Sequence, residues 1–245
     1  VRSPDAANEE ARRAPAPDSP RERRRREIVA RVPPRYSPAF HLTAPSLVIL
    51  SVMALALSRI HGLRPAELAA VPATLIVAFA FEWRAHRLFL HRRVPLAGSL
   101  YVAHELMHHV VFTHDDMALR SRRELWLVLM PAYAAVLIFL FDLPLALGLS
   151  LLVTPNVACV FVATSMLFFF AYEWLHLAYH LPPGGRVGKN PLIARLRRLH
   201  QLHHDPRLMK RYNFNITFPV FDWVHGTRWP HERAGAEDEA RTRAS

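Results

Sequence analysis

Four stretches of the chain carry no charged side chain: Leu42 to Ser58, Leu68 to Phe81, Leu125 to Phe141 and Leu143 to Tyr172. Basic residues crowd the segments before, between and after them. A helix crossing the hydrocarbon needs about 20 apolar residues, so the first and third stretches qualify narrowly. The second is short, but Glu67 and Arg84 can snorkel at its ends, and the helix can continue into water as Glu82 to His91. The fourth is long and carries Pro144 and Pro155, which predicts a bent or tilted entry into the membrane. Asp142 and Pro144 predict a tight hairpin between the third and fourth crossings. The fold class expected is an all-α integral membrane protein of about four transmembrane helices with a cytosolic helical cap.

Four crossings put both termini and the loop from Arg84 to Glu124 on one side, with Arg59 to Glu67 and the Asp142 turn on the other. Of 31 Lys and Arg, only Arg59 and Arg64 fall on the second side. The positive-inside rule therefore makes the first side cytoplasmic, and the membrane the plasma (inner) membrane if the source is bacterial. Residues 1–40, rich in Arg and Pro, are expected to be a disordered cytoplasmic tail, 41–230 the membrane domain, and 231–245 a second disordered tail. The run of Arg21, Arg23, Arg24, Arg25 and Arg26 beside a membrane helix marks the cytoplasmic side or touches anionic lipid, and no nucleic-acid partner is expected. Cys159 is the single cysteine, so it reads as helix packing and not as half of an intramolecular disulfide.

Ten of the 15 histidines cluster in four boxes on the cytoplasmic side. These are His86 and His91, then His104, His108 and His109, then His176 and His180, and last His200, His203 and His204. At about 100° per residue, positions four apart share a helix face, so His104 with His108, and His176 with His180, are each expected to point at one centre. The adjacent residues His109 and His204 point elsewhere, so each His-His doublet can serve two neighbouring metals. Zinc takes four ligands and other first-row metals at most six, so ten imidazoles imply two ions with open positions. Ligand type alone does not choose among iron, zinc, copper and nickel. His41, His61, His114, His225 and His231 stand outside the boxes, with His114 and His225 the nearest to a supporting role.

The boxes, read with Glu82-Trp83-Arg84-Ala85-His86, His108-His109-Val110-Val111-Phe112-Thr113, Tyr172-Glu173-Trp174-Leu175-His176 and the run from Asn213-Phe214-Asn215 to His225-Gly226-Thr227, resemble the fatty acid hydroxylase superfamily, also called the sterol desaturase family. The likeness spans about Glu82 to Pro230. It implies two iron ions held by the ten histidines, with zinc possible in purified protein, and attack by molecular oxygen on a lipid C–H bond. The substrate implied is a fatty acyl chain, a sterol or an isoprenoid, with electrons from a separate electron-transfer protein. The second box has three spacer residues where the fatty acid 2-hydroxylase branch has two, which leaves the substrate branch open. A carotenoid hydroxylase or a desaturase of the same superfamily is the nearest alternative. Glu82, Glu173 and Asp205 each lie beside a box and are candidates to orient ligand N–H groups. Arg195, Arg197 and Arg198 could receive an acidic redox partner or lipid headgroups.

Two other classes compete. His104-Glu105-Leu106-Met107-His108 also reads as the zinc-peptidase motif, in which the glutamate activates water, but it leaves the remaining boxes without a task. On the hydroxylase reading Glu105→Gln keeps the metals and much of the turnover. Histidine clusters also line metal-transport routes, but the charge-free stretches hold no histidine or carboxylate at mid-depth.

Overall fold

The computed structural model describes residues 19–95 and 97–229. The expected C-terminal tail, 231–245, and residues 1–18 of the expected N-terminal tail lie outside these. Among the described residues the only β pairing is an isolated bridge between Thr113 and Asp116, and everything regular is helical.

Four helices are long and apolar enough to cross a membrane. Helix α1 (Pro20–Ala30) precedes them, and the first spanning helix is α2 (Pro38–Ser58). It starts where the Ser37 side chain accepts from the Phe40 N–H and Pro38 takes the first turn, whose N–H would have no helical partner anyway. The second spanning unit, Pro65–Leu90, consists of a 3₁₀ turn, helix α3 (Ala70–Ala85) and a π-helical turn, His86–Leu90. Helix α4 (98–111) contains a second π-helical stretch, Val102–His108, and α5 (Leu125–Val128) is one short turn. The last two spanning helices are α6 (Ala134–Leu152) and α7 (Pro155–His180). Helices α8 (Pro191–His203) and α9 (Val220–Val224) complete the cap.

The hairpin expected at Asp142 and Pro144 lies elsewhere. Both residues sit inside α6, and the turn falls at Val153 and Thr154, where Thr154 caps α7 by accepting from the Val157 N–H. Proline removes one helical hydrogen bond, which a spanning helix tolerates when its neighbours support it. Thr154 followed by Pro155 is the stronger start signal. The correction leaves the charge asymmetry unchanged, since 153–154 carries no basic residue. It does put a carboxylate at mid-helix, against the expectation that the spans hold none.

Helix α7 is the central post of the bundle: 44% of its most apolar window is buried, against 17% for α6. Ile49 and Ala56 of α2, Ala135 of α6 and Phe161, Val162, Ala163 and Met166 of α7 form one packed core. Small residues at Ala56, Ala135 and Ala163 let backbones approach closely, as packing between helices in lipid requires. A second core, around Met107, Val111, Phe112, Leu127, Val128 and Leu177, roofs the bundle.

Over 20–30 the chain forms α1, which packs onto the rest of the molecule. Arg25, in the middle of the arginine run, is only 5% exposed. Its guanidinium donates to Glu124 Oε1 and Oε2 at 3.0 and 2.9 Å and to Asp116 Oδ2 at 3.2 Å. Ile28 packs into the roof core, and Arg120 holds Glu22 at 2.8 and 3.0 Å. Composition could not reveal this helix because its carboxylate partners, at 116 and 124, are far along the chain.

Candidate metal centre

All ten box histidines are buried at one place, where the cap meets α3 and α7. His86, His91, His104, His109 and His203 bring one ring nitrogen each within 4.8 Å of one another, and His108, His180, His200 and His204 do the same beside them. The second set is completed by His176, whose ring centre lies 5.0 Å from that of His108 and 4.9 Å from that of His200.

The pairing differs from the four-residue phasing expected. His104 and His108 fall in different groups, while His86 with His91 and His104 with His109, each five apart, converge. The reason is local: His86–Leu90 and Val102–His108 are π-helical, and i→i+5 hydrogen bonding brings residues five apart onto one face. Both doublets divide as expected, His108 and His204 to one group and His109 and His203 to the other. The rings of His109 and His204 stack at 4.2 Å across the divide. A single zinc bound by His104 and His108, as the peptidase motif needs, does not match this geometry.

Backbone carbonyls fix the rings. His86 Nδ1 donates to Phe214 O at 2.6 Å, His108 to Leu127 O at 2.9 Å and His180 to Met117 O at 2.8 Å. His203 donates to Tyr212 O at 3.0 Å and His204 to Phe112 O at 2.6 Å. A carbonyl only accepts, so each Nδ1 carries the proton and each Nε2 of the neutral ring presents a lone pair. His91 does likewise through Glu105, 2.5 Å from its Nδ1. Burial holds His104, His109, His200, His203 and His204 well below the usual histidine range and pushes His108 down to about 3, so these rings are neutral at physiological pH.

Lone pairs consequently face lone pairs. Nε2 of His91 lies 2.9 Å from Nε2 of His203 and 3.2 Å from that of His86, and His108 and His204 meet the same way at 3.2 Å. Between the neutral rings of His108 and His204 no proton is left for a hydrogen bond, and a shared cation relieves the repulsion. Nε2 of His176 is buried with no hydrogen-bond partner among the described residues, free to take a metal. The donor set therefore fits two metal ions, with neutral imidazoles as first-row metals prefer.

The supporting candidates fare differently. Glu82 reaches no histidine. It accepts from Asn215 Nδ2, the Ile216 and Thr217 N–H groups and the Thr217 hydroxyl, at 2.6 to 2.9 Å, and so ties down the segment whose Phe214 carbonyl orients His86. Glu173 accepts from the Met130 N–H at 3.2 Å, close to the Leu127 carbonyl that orients His108. Asp205 is spent on Arg207, and His114 pairs with Asp115, half-exposed. His225 stacks on Trp83 at 4.1 Å, exposed and away from the histidine groups. Arg197 is buried and donates to Leu181 O at the end of α7, which removes it from the basic patch that Arg195 and Arg198 present.

Glu105 is the supporting residue that spacing arguments missed. It sits between His91 and Lys210, whose Nζ is 3.0 Å from its other oxygen. The run from Asn213 to Thr227 supplies a scaffold: Asp222 accepts from the Phe214 and Asn215 N–H groups and from the Thr227 hydroxyl, and Trp83 Nε1 donates to that same hydroxyl. Asn213 holds a left-handed backbone at φ 56°, which asparagine tolerates, and Gly226 does so at 62°.

Below the metal centre, a cavity of about 290 Å³ opens between α3, α6 and α7. Val77, Phe81, Ile138, Phe161 and Phe168 line it, and His86 forms its upper wall.

The arrangement has relatives. The fold is similar to that of a solved structure of full-length Scs7p in which only the hydroxylase domain is visible, with 20% sequence identity, a TM-score of 0.52, and coverage of 79% of this chain and 67% of that one. No curated protein matches the chain. The fatty acid hydroxylase family pattern matches residues 71–227, which takes in every histidine of both groups, and the chain belongs to the fatty acid hydroxylase family.

Proposed function

We propose that this chain hydroxylates a lipid C–H bond at a di-iron centre held by His86, His91, His104, His109 and His203 on one side and His108, His176, His180, His200 and His204 on the other. The observation that carries the reading is the double position of His86, which belongs to a metal-binding group and also walls the apolar cavity. Iron bound there supplies the activation of molecular oxygen, with electrons from a separate donor protein.

The chain's own residues supply placement. The carbonyls of Phe214, Leu127, Met117, Tyr212 and Phe112 hold five imidazoles in one tautomer and orientation. Rigid helices on three sides of the cavity align a lipid chain so that one carbon lies beneath His86, and the aromatic wall excludes water from the reacting carbon. The charge asymmetry supports a cytoplasmic position for the histidine centre, the described termini and the exposed Arg195 and Arg198, where a soluble acidic electron donor can dock. The membrane hydroxylase domain expected at 41–230 is extended by α1, which packs onto its roof.

Metal analysis of purified protein, followed by mass spectrometry of host lipids with and without His180→Ala under isotopically labelled oxygen, tests the proposal. About two irons per chain and one labelled oxygen atom in a lipid product are expected, both lost in the variant. A lipidome unchanged by the variant, or a product that gains a double bond and no label, rejects hydroxylation.

A further inference from the structure

The cavity beneath His86 is apolar along most of its length but carries a second polar pole at its far end. Asp142 is the ninth residue of α6, close to the middle of that spanning helix, and is 7% exposed. Ser165 of α7 lines the same cavity and interacts with it. Its Oδ2 is buried with no hydrogen-bond partner among the described residues. Asp142, Ser165 and the Thr74 side chain all line the cavity. A carboxylate at mid-depth in a bilayer is costly and rare, and where one persists it faces the bundle interior with a partner. Ser165 is a polar neighbour, but Oδ2 has no hydrogen bond among the described residues.

The contrast with Glu82 is informative. It lines the same cavity at the metal end, yet its carboxylate is saturated by Asn215, Ile216 and Thr217. Asp142 keeps an acceptor free for whatever fills the cavity. Ser165 and His176 lie eleven residues apart on α7, about 16 Å at helical rise. The lining is therefore bipolar: an oxidising end at His86 and, deeper along the spanning helices, a polar group of Asp142, Ser165 and Thr74 in which the Asp142 Oδ2 is free.

We infer that Asp142 and Ser165 read a hydroxyl group on the distal end of the substrate, so that the preferred lipid is one already hydroxylated away from the carbon presented to the metal centre. This rests on the hydroxylase reading and narrows its substrate class. An ordinary methyl-ended chain would leave Asp142 buried and unpaired, whereas a hydroxyl donates to Oδ2 and satisfies it. A site built to hydrogen-bond a hydroxyl discriminates strongly against the analogue that lacks it. The class of reaction that must precede this one is then an oxygenation or hydration at the opposite end of the chain.

Competition binding tests it. Metal-loaded protein in lipid nanodiscs is equilibrated with radiolabelled methyl myristate, which is displaced by unlabelled methyl ω-hydroxymyristate or by unlabelled methyl myristate. The hydroxy ester is expected to displace at a concentration lower by about tenfold or more, the worth of one hydrogen bond to a buried carboxylate. In Asp142→Leu that preference disappears or reverses, and Ser165→Ala reduces it. Equal displacement by the two esters in the wild-type protein overturns the inference and leaves the hydroxylase reading standing, and needs no variant to fold. A preference that survives in an Asp142→Leu protein with full metal content overturns it as well. Failure of the wild-type protein to retain either ester overturns the inference together with the lipid reading beneath it.

Discussion

Glu105 Oε2 lies 2.5 Å from His91 Nδ1, which fixes the tautomer of His91 and turns its Nε2 toward His86 and His203. Lys210 holds the opposite oxygen at 3.0 Å, so the carboxylate is clamped between a ligand candidate and a cation. This placement reverses the expectation that Glu105 is dispensable to a hydroxylase. Glu105→Gln should lower affinity for one of the two metals by about 10- to 100-fold, the usual cost of losing a group that orients a ligand. Metal titration followed by mass spectrometry of the intact protein checks it, and full retention of both metals would return Glu105 to the role of bystander.

Removing the metals should destabilise the protein, because ring nitrogens that converge at 2.9 to 3.2 Å are then left facing one another with no cation between them. At a metal concentration about 100 times its dissociation constant the linkage is worth about 2.7 kcal/mol. For a chain of this size that corresponds to a melting temperature about 5 to 10 °C higher than in chelator. Differential scanning fluorimetry in detergent, with reloading after chelation, measures it.

Glu82 acts on the metals at one remove, through the segment that carries the Phe214 carbonyl. Glu82→Ala should cost about 2 to 4 kcal/mol of stability by leaving the Ile216 and Thr217 N–H groups unpaired. It should weaken the metal bound by the His86 group and spare that bound by the His108 group. A metal titration with two resolved phases distinguishes this from general unfolding, which would weaken both.

The N-terminal helix is tied down by ion pairs that can be broken singly. Arg25 and Glu124 are both nearly buried, so Arg25→Met leaves the Glu124 carboxylate with only the Arg120 and Ser121 N–H groups and no cation, and should cost about 3 kcal/mol locally. The variant should show fast amide hydrogen exchange along α1 while the spanning helices stay protected.

Acid should loosen the same helix. The Arg120 guanidinium hydrogen-bonded to Glu22 holds that carboxyl below the usual 4.5. A group whose value is depressed in the folded state contributes stability above its unfolded value and loses it as pH falls through the folded one. Exchange of α1 should therefore rise once pH drops below about 4.5 in the wild-type protein. Glu22→Gln should show a smaller step, because it has no proton to gain there.

The sequence by itself determined the membrane class and marked the ten histidines that the fold gathers, because each is written in local composition or spacing. Charge-free blocks long enough to span need no tertiary contact to be recognised, and four separated boxes are hard to explain except by convergence. The division of the doublets His108-His109 and His203-His204 between two groups also followed from helix phase alone. Only the tertiary structure decided the rest. The π-helical turns at His86–Leu90 and Val102–His108 changed which residues share a face, and a shift of one residue per turn is invisible to a rule that assumes regular helix. Long-range partners turned an arginine run into a docked helix through Glu124 and Asp116, and gave Glu105 a histidine to orient. Asp142 and Pro144 looked like a turn because a carboxylate and a proline break most helices, yet packing against α7 carries α6 through both. That continuity sets a carboxyl group with a free oxygen inside the apolar cavity, and whether a buried polar residue is breaker or ligand depends on the three-dimensional neighbours that only the fold supplies.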